Sequence, residues 1–593
     1  MFQSLFHRSS LKLFLVILFY LLFFPVSGYC DGEPSKKPFL RLEGGMHTQA
    51  VLNIAIDSGN NFFVSSSKDK TLRIWQLPNG RLRKTIRFPI GPGSEGELNA
   101  VAISQNGGLI AAGGNTCNSW EPDKGYCVYL FDSATGNIIR RISYLPSVVR
   151  HLSISADGKF LAIVMAGKAG LRVYQIDNNR LLRSDLEYEN DAVWVDFDNS
   201  GRLVTLSLDG FLRLYNNLFL LIHKKKLAPN SQPYSAEFSP DGTKIAVGFR
   251  GRAMVVVFSA TDLDILYFPD TAAAVGDFRT ITWSKDGKLL YGAGGHKNSH
   301  HSLIRKWLNG GKPELSGWGE FVDLKASKSP VSQIVALNDG GIVFSGTSPV
   351  LTGIDSQGFM SFRHSSPSAS FSSWKRDLLI SSSGSTVSFP YNLSDGSIGT
   401  FSVDYLELYY SKNFGSKLLP PLTESASFSV TGWDGKYEQL KFNGRSIVLD
   451  SNEQVNSLAI ARDNRFFVVG TSDNLRIYDK SGRGRWVTSV AAAIQGVNIS
   501  LDNRVIVAAH EDGVIRWYKT NTGRNFLSLY PHSDRKRWAV WTPNKIFAAS
   551  PGGDQIIGWH KNRGGNEAAL FVPAEKLTAS NLRPEVIKSL FRR

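Results

Sequence analysis

Three histidines stand close together in GGHKNSHHSLIRKW: His296, His300 and His301. Imidazoles at this spacing can ligate a metal if a hairpin folds them onto one another. No carboxylate or cysteine completes a set beside them, so a solvated hairpin loop is the reading taken, with no metal and no cofactor. Lys224, Lys225 and Lys226 follow Phe219–His223 and could meet phosphate groups or an acidic partner; a charged outer strand is the preferred account. Arg250, Arg252 and the run Lys480–Arg485 add positive loops that would attract anions if they shared a face. Asp69, Asp209, Asp473 and Asp512 each precede an apolar strand, but no complementary acid and base stand at a spacing that suggests proton transfer. Cys117 and Cys127 bracket NSWEPDKGY; in an oxidising compartment they are expected to pair and pin that loop, leaving Cys30 over. Nucleophilic cysteine chemistry needs a thiol beside an activating histidine, which this distribution does not offer. The glycine-rich stretches at 91–97 and 564–570 lack the following Lys-Ser/Thr and helix of a phosphate loop. On these grounds the chain is not expected to be an enzyme.

The elements that must position such residues are short strands. Val51–Trp75 (VLNIAIDSGNNFFVSSSKDKTLRIW) holds three of them, separated by Asp-Ser-Gly-Asn and Lys-Asp-Lys turns. One such sheet cannot cover its own faces, and the chain repeats it. The first-strand beats fall at Ile56, Ile103, Ile154, Phe197, Phe238, Trp283 and Leu337. Asp-Gly, Asn-Gly or Ser-Gly turns accompany them and suit the positive φ of tight hairpins. His364–Asp450 shows no clear beat; the pattern returns at Ile460, Ile499 and Trp541. The spacing leaves room for about 12 to 13 repeats. A period near 40–45 residues with four strands per unit marks a β-propeller. The expected architecture is therefore all-β, two tandem rings of about seven blades. The first spans 38–365 and a more divergent second spans 366–565, followed by a tail at 566–593 with a short helix. Phe39–Leu42 reads as a lone strand that completes the last blade of a ring.

The sequence resembles the WD40 repeat family, within the wider YVTN/quinoprotein-like propellers. The carrying residues are DKTLRIW (69–75), DGFLRLY (209–215), DNLRIYD (473–479) and DGVIRWY (512–518). Most Gly-His and terminal Trp-Asp pairs of that family are missing. The resemblance implies that Asp69, Asp209, Asp473 and Asp512 join structural hydrogen-bond networks. Residues 537–593 resemble the junction after WD40 propellers in bacterial caspase-like (peptidase C14-type) proteins. Trp538, Trp541, Gly552, Gly553, Trp559 and Arg563 carry that match. What it implies here is a recognition or scaffold propeller without the protease.

Residues 1–28 read as a secretory signal: Arg8 and Lys12 supply the positive segment before the apolar run Leu13–Phe24, and Val26-Ser27-Gly28 suits cleavage. The apolar run is short for a spanning helix, and an uncleaved N-terminal anchor is the alternative. The 593 residues carry a formal charge of +16, which suits an anionic partner or surface, but no basic run resembles a nucleic-acid arm. The expected protein is thus an exported, periplasmic, non-enzymatic propeller that presents loops to a protein or peptide partner. Two alternatives stay open: an enzymatic or cofactor-binding propeller using its central channel, and a binder of anionic envelope polymer.

Overall fold

Alternation of apolar and polar residues between tight turns makes this chain pleat into hairpins, and a computed structural model shows how they stack. It describes residues 32–592 apart from 119, 121–124, 229–231, 314–319, 370, 372–376, 393–395, 412–416, 435–438 and 451–452. The expected signal at 1–28, together with Cys30, lies outside the described residues. Among those described, no helix is long and apolar enough to cross a membrane.

Seven four-stranded antiparallel sheets follow one another at 51–86, 97–145, 149–185, 192–226, 232–267, 280–325 and 331–365; we number them blades 1 to 7. The first strand of each blade packs beside the first strand of the next, and that of blade 7 (Val331–Ala336) packs on that of blade 1 (Val51–Ile56), so the ring closes. Polar side chains on these inner strands stitch neighbours together. Asn53 accepts the Val101 N–H (2.9 Å), Asp196 that of Phe238 (3.1 Å), Glu237 that of Trp283 (3.2 Å), and Thr280 that of Ile334 (3.1 Å). Gln333 accepts the Ile54 N–H at 2.7 Å and performs the same task across the closing seam. Each bond satisfies a backbone donor that the sheet ladder leaves over.

Burial raises the acid pKa values on this inner layer, to about 8 for Asp196 with the neighbouring Glu237 adding to it, and to about 7 for Glu237. A carboxyl held above its unfolded value stabilises the fold only while the folded state keeps its proton. Its contribution is complete below the unfolded value near pH 4 and is lost as pH rises towards 8. Asp196→Asn keeps an acceptor for Phe238. We expect it to match the wild type in stability at pH 4 and to exceed it by about 1–3 kcal/mol at pH 9. Urea denaturation at the two pH values checks this; equal differences at both would refute it.

The remaining sheets lie at 379–411, 430–446, 455–489 and 494–549, with a composite sheet made from Phe39–Leu42, Ile557–Lys561 and Leu570–Pro573. The twelve sheets fit the repeat count, and the all-β WD40-like propeller architecture is as expected. Among the described residues the second set comprises five sheets, one of them lengthened by a local turn. Asp534 accepts the backbone N–H groups of Lys536 and Arg537 (both 2.9 Å), forming a tight turn. Trp538–Trp541 therefore pairs directly with Asn525–Pro531, and the Trp541 beat extends the preceding sheet to six strands instead of starting a new one.

Phe39–Leu42 pairs antiparallel with Ile557–Lys561, Leu40 opposite Trp559. By hydrogen bonding it goes with the C-terminal sheet, not with the residues 51–365 that follow it. Leu40 and Leu42 pack on a core of Val514, Tyr530, Phe547, Ile557 and Trp559. The tail supplies the strand Leu570–Pro573 and two short helices, Thr578–Asn581 and Pro584–Ser589, the second with Pro584 in its first turn. Ile587 enters the core formed by the 379–411 and 494–549 sheets.

Candidate functional site

The densest polar chemistry sits where blade 1 meets the N-terminal strand and the C-terminal sheets. His47 lies in the segment before blade 1, Ser65 on its second strand, Asp69 in the turn after it and Trp75 on the third. His47 Nδ1 donates to Asp69 (2.8 Å), Ser65 donates to His47 Nε2 (2.7 Å), and the Trp75 indole N–H donates to Ser65 (2.8 Å). Thr71 and the Thr48 N–H also donate to Asp69. Burial would raise the Asp69 carboxyl, but His47, Arg73 and Thr71 outweigh it and hold it well below the usual range. Burial lowers the His47 pKa against the pull of Asp69, so the ring is neutral at pH 7. A Ser–His–Asp chain can activate a nucleophile, but His47 and Ser65 are fully buried and the serine oxygen is spent on Trp75. This chain clamps the blade together.

The other turn aspartates vary on this theme. Asp209 accepts from Arg213 (2.7 Å), Ser207 and the Phe211 N–H, and Arg213 lies 4.0 Å over the Tyr188 ring. Asp512 accepts from Arg516 (2.6 Å) and the Val514 N–H (3.1 Å). Asp473 occupies its turn but is exposed and accepts from its neighbour Ser472. The networked carboxylate of that blade is Glu453, bound by Arg476 (2.9 Å) and Asn474 (3.0 Å). The strand-turn offset pointed to Asp473; Glu453 sits before the blade's first strand, where no turn signal marks it.

Cys117 and Cys127 form a disulfide, buried with Trp120 and Tyr129 in the core between blades 1 and 2. Of the histidine trio, His296 is buried beside Asp323 (3.3 Å) while His300 and His301 are at the surface of the loop. They are not brought together, and among the described residues no group of three or more His, Cys, Asp or Glu could hold a metal. In the C-terminal motif, Trp538, Trp541 and Trp559 are buried. Gly552 takes a left-handed φ of +72°, and a Cβ on Gly553 would strike the Trp538 carbonyl at 2.1 Å. Arg563 donates to the Ala568 carbonyl at 2.7 Å. These residues fix the fold of the tail.

Around the junction, Glu43 binds Arg73 (2.9 Å) and Arg87, and Arg87 covers the Phe571 ring at 4.0 Å. Asn562 bridges the Ile90 backbone (2.8 and 3.1 Å) and the Ser35 carbonyl (2.9 Å). A cleft of about 290 Å³ opens nearby, lined by Lys68, Glu97, Gln454, Asp473 and Glu511 among others. Burial pushes Glu97 up to about 7 against the pull of Lys68 and Lys70.

The outer rim is different in kind. The fourth strands of blades 3 to 5 (Arg180–Asp185, Leu221–Lys226, Ile265–Tyr267) and their flanks expose Leu181, Leu218, Leu220, Ile222, Leu266 and Phe268, with Leu218 71% and Phe268 54% exposed. The Lys225–Asp264 ion pair (2.9 Å) joins the outer strands of blades 4 and 5. Lys224 and Lys226 are exposed on the same strand, with Lys224 4.7 Å over the Phe211 ring. Arg250, Arg252 and most of Lys480–Arg485 are exposed as well.

Comparison with known proteins agrees with this architecture. Residues 41–76, which contain the His47–Asp69–Trp75 clamp, match the family model described as WD domain, G-beta repeat. The chain is 27% identical over 184 residues to Protein ROOT INITIATION DEFECTIVE 3 of Arabidopsis thaliana, covering 28% of this chain and 41% of that protein. It is 35% identical over 86 residues to the small ribosomal subunit protein RACK1y of Oryza sativa subsp. japonica, covering 14% and 24%. It is 23% identical over 167 residues to eukaryotic translation initiation factor 3 subunit I of Lodderomyces elongisporus, covering 27% and 43%. The chain thus spans less than half the length of each of these relatives. With the matched repeat, its buried clamp and the closed ring of seven four-stranded blades together, the chain has the architecture of a WD40-like β-propeller and carries a WD40 repeat at residues 41–76.

Proposed function

We propose that this protein is an exported, non-enzymatic scaffold that docks a protein partner on the rim of its first ring, in the bacterial envelope. The observation that carries this reading is the row of large apolar side chains on the outer strands of three consecutive blades. Exposed apolar surface of this extent is costly in water and is characteristic of docking sites. The lysines interleaved with it on Leu221–Lys226 discourage addition of a foreign strand to the blade edge, so side chains make the contact. The buried disulfide supports an oxidising compartment, as the signal-like residues 1–28 do. Two of the relatives are, by their names, components of larger assemblies, a ribosomal subunit and an initiation factor. The likeness of the tail to the propeller junction of caspase-like proteins supports a recognition role.

The test is an affinity pull-down of the tagged chain from its own envelope fraction after mild crosslinking, at two salt concentrations. The wild type is compared with a Leu218→Ser, Leu220→Ser, Ile222→Ser triple variant. A discrete protein recovered at both salts by the wild type, and reduced at least about tenfold by the variant, is the expected result. Equal recovery by both would remove the rim from the proposal. Exposed Lys224, Lys226, Arg250 and Arg252 favour a second reading, an anionic polymer as ligand. Its signature is retention that is lost at the higher salt.

A further inference from the structure

Four arginines gather at the junction of blade 1, the N-terminal strand and the C-terminal sheets, and three have anionic partners. Arg73 and Arg87 share Glu43, and Arg516 is held by Asp512. The side chain of Arg41, in the middle of Phe39–Leu42, makes no hydrogen bond or ion pair with any described residue; its guanidinium lies 6.0 Å from the Phe39 ring and its Nε is buried without an acceptor. Its side chain lines a cavity of about 50 Å³ whose wall includes Thr48, Asp69, Arg87, Arg516 and Trp541. Lys70 is buried close by, its ammonium donating only to the neutral carbonyls of Gly91 (3.1 Å) and Gly93 (2.6 Å). His560 lies opposite Phe39 in the strand pairing and donates no charge, since burial and the nearby Arg41 and Arg87 push its pKa down to about 3. Lys70 faces Glu95 and Glu97, while the charged wall of the cavity consists of Arg41, Arg87 and Arg516 against Asp69 and Asp512. The wall of the cavity therefore has one more positive than negative group.

An unpaired guanidinium in such a place is expensive. Burial draws the Arg41 pKa down to about 10 in spite of Asp512 and Asp69, so the group remains a cation at neutral pH. Arginine offers five donors in a planar fork, matched to the oxygens of an oxyanion. The cavity holds a group of a few heavy atoms and no more, and apolar Leu40, Leu42 and Trp541 close part of its wall.

We propose that this cavity is a binding site for one small free oxyanion of the phosphate or sulfate class, held by Arg41, which completes the junction between the N-terminal strand and the C-terminal sheets. Such a ligand supplies the acceptor that Arg41 lacks and neutralises the excess charge. By mass action it stabilises the folded chain.

The experiment is thermal unfolding of the full mature chain in inorganic phosphate, in sulfate and in chloride at matched ionic strength, with calorimetric titration of phosphate. The wild type is expected to melt higher in phosphate or sulfate than in chloride. Arg41→Met is expected to lose that difference and, in chloride, to melt no lower than the wild type, because a partly buried cation without a hydrogen-bonded partner has been replaced by an apolar chain. Arg41→Lys retains the charge without the fork and is expected to bind phosphate about tenfold more weakly. It also serves as the readout should the methionine variant not fold. Lys224→Gln, on the distant rim, is expected to behave as the wild type. Equal melting of the wild type in phosphate, sulfate and chloride would overturn the proposal, as would an undiminished phosphate effect in Arg41→Met or Arg41→Lys.

Discussion

Deleting residues 38–43 is expected to destabilise the chain by about 5 kcal/mol or more, one of the largest effects open to a short change. Three losses add up. The backbone of Ile557–Lys561 loses its partner along one edge. Leu40 and Leu42 leave the core around Phe547 and Trp559, and partly buried leucines contribute about 1–2 kcal/mol each. Glu43 is removed from Arg73 and Arg87, which are both buried, and an orphaned buried ion costs about 3–5 kcal/mol. The loss should be uneven. Amide exchange should accelerate across Ile557–Pro573 and its neighbours, while blades 3 to 6 keep their protection because no residue of that strand touches them. Calorimetry together with hydrogen exchange checks this; an unchanged melting temperature would show that the N-terminal strand contributes nothing to the C-terminal sheet.

The second large effect is expected at Asp69. Asp69→Ala strips the acceptor from His47, Thr71 and the Thr48 N–H, all inside the fold. A loss of about 3–5 kcal/mol is expected. Asp473→Ala, at the corresponding turn, should fall within about 0.5 kcal/mol of the wild type because that carboxylate is exposed and Glu453 carries the network. The two variants therefore separate a residue's place in the repeat from its role in the structure. Denaturant titrations of both decide it, and similar losses at the two positions would refute the assignment of Glu453.

Much of this fold is legible in the sequence where short-range chemistry decides it. The seven beats from Ile56 to Leu337 are each bound to a turn whose residues accept positive φ, and each became a blade. Legibility fails where a distant contact decides. Trp541 carries the signature of a first strand, but the tight turn at Asp534 folds it back onto Asn525–Pro531 before a new blade can start. His47 follows Gly45-Met46 instead of standing directly after a glycine, so the pair that marks it in the WD40 pattern is broken, and only its 2.8 Å bond to Asp69 reveals it. Arg41 has no local signal at all. Its lack of a partner emerges only when segments from both ends of the chain have come together.

The pairing of Phe39–Leu42 with Ile557–Lys561 also bears on how the molecule is made. That strand is synthesised ahead of blades 1 to 7, yet its partner leaves the ribosome after them. Through most of synthesis, and through any passage across a membrane, it carries open backbone donors and acceptors with nothing to bind. A chain cut short before Ile557 would retain that open edge permanently, next to a junction still lacking half of its polar contacts. Completion of the C-terminal sheet therefore hides an edge that copies truncated before Ile557 would leave open to aggregation and proteolysis.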